Sequence, residues 1–328
     1  MAATSSSGRT QLNMPILNIE EVYKIYQSEK TETAALRGVS LSIFPGERVA
    51  LIGPSGAGKT TLVNIAAGLL PPTSGKIFWS GISRDISRLT PEQIVRARRR
   101  FAGLVFQETK LIPHLNVVQN VKLGGHLAGM ENEEIDERAD MLINLVGLDE
   151  RKKHRPGMLS GGEKQRVALA AALITNPKLI IADEVTASLD PLTGEQVLDV
   201  LDEINRELGV AYMIATHAQQ VASRAERIIE IKDGVILATH GSSIRLRDLA
   251  ETRRLAVDNQ NRISIPDDMI KALGSPRSFK AQIVGQQIYL SIPTEELYEV
   301  EKILTCKVCG TLVENGSRVC KKCGTVVT

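Results

Sequence analysis

The sequence lacks long apolar runs and any large excess of charge. Its longest apolar stretches, such as residues 167–174, fall far short of the roughly 18 residues that a bilayer-spanning helix needs. No hydrophobic segment typical of a signal peptide opens the chain, so we expect residues 1–14 to be a disordered leader and the protein to be cytoplasmic. The 40 basic and 38 acidic residues nearly cancel, which disfavours a nucleic-acid partner.

Cysteine is absent from residues 1–305. The four cysteines of the chain form a C-x2-C-x10-C-x2-C pattern, with members Cys306, Cys309, Cys320 and Cys323. Paired C-x-x-C units in a cytosolic chain are typical of tetrahedral zinc, and four thiolates leave no open coordination position. We therefore predict a zinc ribbon over residues 305–328 with structural Zn²⁺; redox thiols are the alternative.

The order of apolar and polar stretches predicts an α/β fold. Strand patterns fill residues 15–52, whereas residues 85–155 are charged and helical in period, with loop signals near Pro113, Gly124 and Gly147. After residue 159, short apolar strands alternate with amphipathic helices, which indicates a parallel sheet covered by helices on both faces. The basic run RARRRF, residues 96–101, is interpreted as a solvated helix face rather than a polyanion site.

One helix begins with two glycines. Ser160 and Glu163 have the S-x-x-E spacing of a capping box, and Gly161 and Gly162 lie between them. Bare amides at the positive end of a helix dipole favour an approaching anion. The alternative is an ordinary glycine-containing turn before a buried helix.

A phosphate-binding loop follows the apolar strand RVALI. The stretch GPSGAGKTT matches G-x-x-x-x-G-K-[ST] and leads into an apolar helix, the context that this motif requires. Its glycines let backbone N–H groups surround a phosphate, Lys59 supplies a positive charge, and the Thr60 hydroxyl can bind Mg²⁺. We expect contacts to the nucleotide from Gly53, Pro54, Ser55, Gly56, Ala57, Gly58, Lys59, Thr60 and Thr61.

A second buried strand, LIIADE, ends in two acids. Asp183 lies where open parallel sheets bind ligands and can hold Mg²⁺ through its waters. Adjacent carboxylates without a cation are costly, so a purely structural role is the weaker interpretation. Glu184 is the candidate to orient and deprotonate an attacking water. His217, after the strand AYMIAT, can reach a γ-phosphate, although a lone histidine is often structural.

Residues 15–247 resemble an ABC (ATP-binding cassette) ATPase. The phosphate loop resembles the Walker A motif of this family, and LIIADE resembles Walker B. LSGGE resembles the signature motif, LVFQ resembles the Q-loop, SLD resembles the D-loop, and ATH resembles the switch histidine. The resemblance implies a P-loop NTPase with a mostly parallel core sheet, an antiparallel β subdomain and a helical subdomain. It also implies ATP and Mg²⁺ as ligands.

The resemblance assigns further residues to the nucleotide. Two cassettes would pair head to tail as a homodimer, so that the γ-phosphate bound by one chain meets the signature of the other. Gln107 would contact Mg²⁺ and couple the site to the helical subdomain, and Tyr26 would stack on adenine, although Tyr23 lies close enough to be confused with it. The cross-dimer contacts would come from Ser160, Gly161, Gly162, Glu163 and Asp190.

Within the family, the sequence is similar to ATPases of the lipoprotein-release, macrolide-export and cell-division type. That similarity implies a separate integral-membrane permease and a peripheral location on the inner face of the cell membrane. Val185, Ala171 and Ala218 depart from the usual pattern of that group, and they leave the transported substrate open.

The segment between the cassette and the cysteines starts after a composition change near residues 248–260. Residues 250–293 resemble the small β domain of AbrB-type proteins, and we expect a helical linker over residues 294–304. With a net charge of only +2, residues 250–293 favour dimerisation or partner docking over DNA recognition. The alternative function is a soluble ABC ATPase that acts on DNA or ribosomes through these C-terminal modules.

Overall fold

The computed structural model divides into two compact units, Met1–Ser264 and Ile265–Thr328. The predictions for the leader and for all four cysteines fall outside the residues that the structure describes. The described residues are 14–27, 32–241, 254–255, 263, 265, 267–274, 279–284, 287–291, 304–305 and 312–313.

The first unit contains two sheets and seven helices among its described residues. The strands are β1 Leu17–Gln27, β2 Glu32–Ile43, β3 Arg48–Ile52, β4 Ser74–Trp79, β5 Ala102–Val105, β6 Leu179–Asp183, β7 Ala211–Ala215, β8 Arg227–Lys232, β9 Val235–Gly241 and β10 Arg254–Leu255. The helices are α1 Lys59–Ala66, α2 Pro91–Phe101, α3 Val117–Ala128, α4 Asn132–Leu145, α5 Gly161–Leu173, α6 Pro191–Leu208 and α7 Gln219–Arg224.

The larger sheet has the strand order β10-β9-β8-β3-β7-β6-β5. Strands β8, β3, β7, β6 and β5 are parallel, and β9 and β10 extend the sheet antiparallel. The parallel strands are almost continuously apolar because helices or the second sheet cover both faces. The predicted mostly parallel core sheet is confirmed.

Alternate residues of the strands in the larger sheet pack into the apolar cores on its two opposite faces. Leu51 and Ile181 pack with α1 and the small sheet, whereas Ile180 and Ile214 face the other way, into the core that α5 and α6 complete. The fold is therefore α/β with helices on both faces of the sheet, as predicted. Helices α1 and α5 lie on opposite faces.

The smaller sheet, β2-β1-β4, is antiparallel and forms the predicted β subdomain. Its strand β4 ends at Trp79, which is fully buried and stacks on Phe101 with ring centroids 4.5 Å apart. The Trp79 indole N–H donates to the carbonyl of Ala66 at the end of α1. The β subdomain is thereby joined to the helix that follows the phosphate loop.

Helices α3, α4 and α5 form the helical subdomain and share one apolar core. The loop predicted near Gly124 is wrong, because this residue lies inside α3. A Cβ on Gly124 would come within 2.9 Å of Ile174, and one on Gly125 within 2.8 Å of Ile135. These glycines allow close helix packing, which overrides their usual role as breakers.

The basic run of α2 is only partly a solvated face. Arg99 and Arg100 are exposed, but Arg98 is half-buried and donates to the carbonyl of Gly68 at 3.0 Å. Phe101 at the end of the run is buried. The prediction of a uniformly solvated run is therefore wrong at Arg98.

The second unit is described only in short pieces: the helix α8 Asp267–Ala272, the antiparallel hairpin β11 Lys280–Val284 with β12 Gln287–Ser291, and the pair β13 Leu304–Thr305 with β14 Leu312–Val313. The hairpin falls within the predicted small β domain, and the domain itself stays a prediction. In the part of the chain that the structure describes, no helix is both long and apolar enough to cross a membrane.

Replacing Gly103 by alanine is expected to destabilise the first unit. A Cβ on Gly103 in β5 would lie 2.4 Å from the carbonyl oxygen of Ala172 in α5, so the strand or the helix must move. Overpacking of this kind lowers the free energy of unfolding by about 1–3 kcal/mol. Urea denaturation followed by circular dichroism measures the change. The matched control is Gly157→Ala, whose Cβ meets no atom within 4 Å; equal stabilities of the two variants would contradict the packing argument.

Candidate nucleotide site

The predicted phosphate and metal residues meet at one edge of the large sheet. The loop from Gly53 to Thr60 follows β3, His217 follows β7, and Asp183 ends β6. Because β3, β7 and β6 are parallel neighbours, their carboxyl ends place these residues side by side. Gln107 follows β5, the next strand along the same edge.

Two glycines allow the phosphate loop to pack closely against the rest of the unit. A Cβ on Gly53 would lie 2.1 Å from the carbonyl oxygen of Ile231, and one on Gly58 would lie 2.5 Å from that of Ala35. Gly58 caps α1 with a φ of 104°, a conformation that side chains rarely adopt. Other residues therefore cannot replace these two glycines without moving the loop.

The side chain of Lys59, the first residue of α1, folds back into the phosphate loop that precedes it. Its side chain is only 9% exposed, and Nζ donates to the carbonyls of Gly53 at 2.8 Å and Pro54 at 3.0 Å. Because carbonyl groups carry no net charge, these hydrogen bonds leave the ammonium without a counter-ion, and it can pair with a bound anion. The loop residues Ser55 and Gly56 are exposed, so the concave side of the loop is open to a phosphate.

Asp183 and Thr60 form an oxygen-ligand pair. The Thr60 hydroxyl hydrogen-bonds with the Asp183 carboxylate. Burial raises the pKa of Asp183, and the charge of Glu184 acts in the same direction, while Thr60 and the charge of Lys59 oppose both. A hydroxyl and a partly desolvated carboxylate are donors that suit Mg²⁺, which would remove this electrostatic cost.

Glu184 begins a sharp turn after β6. Its φ is 52°, a left-handed conformation that costs a non-glycine residue about 1–3 kcal/mol. The backbone N–H of Glu184 donates to Ala215 at 2.8 Å, and its Oε1 lies 2.8 Å from Nδ1 of His217. The turn thus directs the carboxylate to the histidine on the neighbouring strand end. The two predicted catalytic side chains are in direct contact.

The capping box predicted at the start of α5 is present. Glu163 N–H donates to the Ser160 hydroxyl at 3.2 Å, and Ser160 N–H donates to Glu163 Oε2 at 2.8 Å. The guanidinium of Arg151, 2.8 Å from Oε1, and the Ser160 amide lower the pKa of Glu163 to about 2. Since this pKa is lowered from 4.5, the contacts stabilise the fold above that pH and are lost as the pH falls towards 2.

The two glycines of α5 have different surroundings. Gly161 is exposed, and a Cβ there would meet only the flexible end of Leu189 at 3.0 Å. Gly162 is buried, and a Cβ there would lie 2.2 Å from Thr193 of α6. Sequence reasoning explained both glycines by an approaching anion, whereas the packing of α5 against α6 accounts for Gly162 within the chain. Gly161 is the one left open to a ligand.

Tyr26 lies beside the phosphate loop helix. It is 45% exposed, and its hydroxyl lies 3.5 Å from that of Thr61 in α1. Tyr23 instead packs its ring end against Gly38, where a Cβ would be 2.9 Å from the hydroxyl. Of the two tyrosines, Tyr26 therefore presents the more exposed ring beside α1, and Lys24 Nζ lies over that ring at 5.4 Å from its centroid.

Gln107 is exposed on the loop after β5. Sequence reasoning missed the residue behind it, Gln165 of α5, which is 2% exposed and donates to the carbonyl of Phe106 at 3.4 Å. This bond joins the signature helix to the Gln107 loop. A glutamine five residues into an apolar helix is the signal that could have revealed it.

A charged cluster behind the site was also missed. Arg224, at the end of α7, donates to Asp199 at 2.7 Å and Asp202 at 2.8 Å and also pairs with Glu195. Burial acts to lower the pKa of Arg224, but these three carboxylates outweigh it and raise the pKa. The cluster fixes α7, just after His217, against α6.

Asp190 is the residue before α6. It caps the helix by accepting from the Thr193 amide at 3.1 Å, and hydrogen bonds from the side chain and the amide of Thr193 lower the pKa of Asp190. Arg224 therefore links two predicted contact residues. Helix α6, which it holds, begins after Asp190, and helix α7, which carries it, follows His217.

Comparison with known proteins agrees with this geometry. Residues 36–187 match the family described as ABC transporter. An uncharacterized ABC transporter ATP-binding protein of Thermotoga maritima is 41% identical over 221 residues, which cover 67% of this chain and 93% of that protein. The macrolide export ATP-binding/permease protein MacB of Syntrophobacter fumaroxidans is 42% identical over 231 residues, 70% of this chain.

The chain spans only about a third of the macrolide export relatives, 32% in the case of the Syntrophobacter protein. Among solved structures, the dimeric ATP-binding cassette MJ0796, in a post-hydrolysis state with ADP and Pi, superposes with a TM-score of 0.63. It is 37% identical and matches 69% of this chain and 98% of its own. The shared fold and sequence extend over the whole cassette, and this chain therefore belongs to the ATP-binding proteins of the ABC transporter family and is an ATPase.

Proposed function

We propose that two copies of this chain bind two MgATP between them and hydrolyse them to drive a separate membrane permease. The observation that carries the proposal is the placement of two phosphate-binding helix starts, α1 and α5, on opposite faces of the sheet. Each copy holds the triphosphate with its own loop and presents its signature, residues 159–163, to the nucleotide of the other.

Distance within one chain supports the need for a second copy. Helix α5 packs on β5, where Gly103 meets Ala172, and β5 lies three strands from β3. At about 4.8 Å per strand this separation is about 14 Å, to which the opposite faces add the thickness of the sheet. We infer that a γ-phosphate in the loop after β3 is met by Gly161 of a second copy and not by Gly161 of the same chain.

The surface beside the signature fits an interface between copies. Met158 and Leu192 are large apolar residues that are mostly exposed, next to the signature and to Asp190 respectively. Exposed apolar groups close to polar contact residues are typical of binding surfaces. The solved relative with ADP and Pi is dimeric.

The geometry supports the following residue roles. Lys59 and the loop amides would bind the phosphates, and Thr60 and Asp183 would hold Mg²⁺, which would neutralise charge at the phosphate oxygens. Glu184 orients the attacking water and accepts its proton, and His217, 2.8 Å away, fixes the carboxylate and approaches the γ-phosphate. Tyr26 stacks on the base, and Gln107 contacts the metal site from the neighbouring strand end.

A groove next to Gln107 fits the permease. Its volume is about 330 Å³, and it lies between α2, α3 and α5, with Leu104, Leu111 and Leu123 in its wall. Leu127 at its side is 57% exposed. We assign the groove to a cytoplasmic helix of the permease, because Gln165 joins its α5 wall to the Gln107 loop. Named relatives that carry ATP-binding and permease functions, such as the macrolide export proteins, support a permease partner and a peripheral location at the membrane.

For the C-terminal unit we propose a dimerising β domain at residues 250–293 and a structural zinc ribbon at residues 305–328. The support is the cysteine spacing and the hairpin of β11 with β12. A module that pairs would keep two cassettes at high effective concentration.

Glu184→Gln is expected to abolish turnover while ATP binding persists. The amide cannot accept a proton from water, so the protein accumulates as an ATP-bound dimer. Phosphate release measures turnover, and size-exclusion chromatography with light scattering measures the dimer. The matched control is Glu137→Gln, an exposed carboxylate of α4 outside the nucleotide site, which should hydrolyse ATP like the parent protein. Undiminished hydrolysis by Glu184→Gln would refute the assigned role.

Asp183→Asn is expected to raise the melting temperature of the nucleotide-free protein. Because the pKa of Asp183 is raised in the fold, its charged form costs stability above that pKa. The gain is therefore present at pH 7 and shrinks as the pH falls towards pH 4, because the raised pKa favours protonation of the folded carboxyl. Differential scanning fluorimetry at both pH values measures it.

The same variant is expected to lose the stabilisation that MgATP adds beyond ATP with EDTA. The magnesium assignment would be contradicted by an Asp183→Asn variant whose melting temperature at pH 7 is below that of the parent protein and which MgATP still stabilises more than ATP with EDTA does. The parent protein in the same buffers is the control.

One zinc per chain is expected in the purified protein, measured by inductively coupled plasma mass spectrometry. Cys306→Ser removes one of four thiolates and should lose the metal, whereas Ser317→Ala, a change between the two cysteine pairs, should keep it. A metal-free parent protein with four titratable thiols would overturn the zinc proposal.

A further inference from the structure

A second cavity lies away from the nucleotide site, between the end of α1, the segment 68–72 and α2. Its volume is about 400 Å³, within the range of small-molecule pockets. Helix α1 has its phosphate loop at one end and this cavity at the other, and its eight residues span about 12 Å. The cavity is therefore a site separate from that of ATP.

The wall of the cavity is mainly apolar. Most of its lining consists of aliphatic side chains and prolines, among them Ile65, Leu70, Ile77, Leu89 and Ile94. Two further lining residues, Leu69 and Val95, are 42% and 36% exposed. Apolar surface that is left in water around a concavity favours an apolar ligand group.

One cation lies in this apolar wall. Arg98 lines the cavity, is half-buried, and donates from one terminal nitrogen to the carbonyl of Gly68. In the described ranges 14–27 and 32–241, no carboxylate lies within ion-pair distance of its guanidinium. A guanidinium has five N–H donors, and among the described residues the hydrogen bond to Gly68 occupies one of those of Arg98. Burial, with a contribution from the neighbouring Arg99, lowers the pKa of Arg98, as expected for a cation that lacks a counter-ion.

We propose that this cavity binds a single-chain amphiphile with an anionic head, of which a fatty carboxylate is the simplest. The acyl chain lies among the aliphatic residues of α1 and α2, and the carboxylate pairs with the guanidinium of Arg98. A charge-assisted hydrogen bond to a half-buried guanidinium orients the head, and burial of methylene groups supplies the affinity.

The protein carries its own reporter for this site. Trp79 is the one tryptophan of the chain. A Cβ on Gly68, which lines the cavity, would lie 2.7 Å from the Trp79 indole, so the ring lies directly behind the wall. Filling the cavity is therefore expected to change the tryptophan emission, whereas binding elsewhere on the chain is not.

The test titrates the full chain with octanoate, decanoate and dodecanoate below their micellar concentrations, with Trp79 emission and isothermal titration calorimetry as readouts. Each added methylene is expected to tighten binding about fourfold, as its burial energy implies. Dodecanol and dodecylamine, with the same chain but no anion, are expected to bind at least tenfold more weakly than dodecanoate.

Arg98→Gln is expected to weaken dodecanoate binding at least tenfold and to leave dodecanol binding unchanged. The matched control is Arg99→Gln, the adjacent arginine, which does not line this cavity and should bind like the parent protein. Val95→Glu, at a partly exposed position, places a negative charge at the cavity. This charge should repel the carboxylate and also weaken dodecanoate binding, so this variant provides the test if Arg98→Gln does not fold.

Three results would overturn the proposal: no saturable change in Trp79 emission, affinity that does not depend on chain length, or equal affinity for dodecanoate and dodecylamine. Unchanged dodecanoate binding by folded Val95→Glu and Arg98→Gln would do the same.

Discussion

The placement of two helices, α1 and α5, on opposite faces of one sheet is the constraint on which the rest of the molecule depends. The parallel order of β3, β7 and β6 collects Lys59, His217 and Asp183 at one edge. The same sheet separates them from Gly161, which lies across it on α5. In the proposed mechanism the chain carries both halves of a phosphate site on different faces of the sheet, and a second copy completes the active site.

The electrostatics at the carboxyl ends of β3, β7 and β6 favour ligand binding over the stability of the nucleotide-free fold. Asp183 is partly desolvated beside the charge of Glu184, and Glu184 occupies a left-handed backbone conformation. Both are costs to the nucleotide-free fold, and a bound cation with its phosphates would offset the first of them. Behind the edge, Arg224 and its carboxylates hold α7, which follows His217, against α6, which follows Asp190.

Sequence reasoning succeeded where local chemistry sets the structure. The glycines and Lys59 of the phosphate loop, the acids after LIIA and the Ser160–Glu163 box were all recognisable because strand-to-helix turns and caps depend on neighbours in the chain. It failed where distant packing decides. Gly124 lies in a helix because Ile174 approaches it, Gly162 is small because of Thr193, and Arg98 is half-buried because Gly68 offers a carbonyl. No pattern within a few residues contains that information.

The most direct test of the shared site combines two variants that are each inactive. Lys59→Ala removes the phosphate-binding cation, and Gly161→Asp places a negative charge on the exposed signature corner. When the two are co-expressed with different tags and purified through both, the mixed dimer contains one intact composite site. The account predicts that this dimer hydrolyses ATP whereas neither parent does. A mixed dimer as inactive as its parents, or full-rate hydrolysis by monomeric Gly161→Asp, would contradict it.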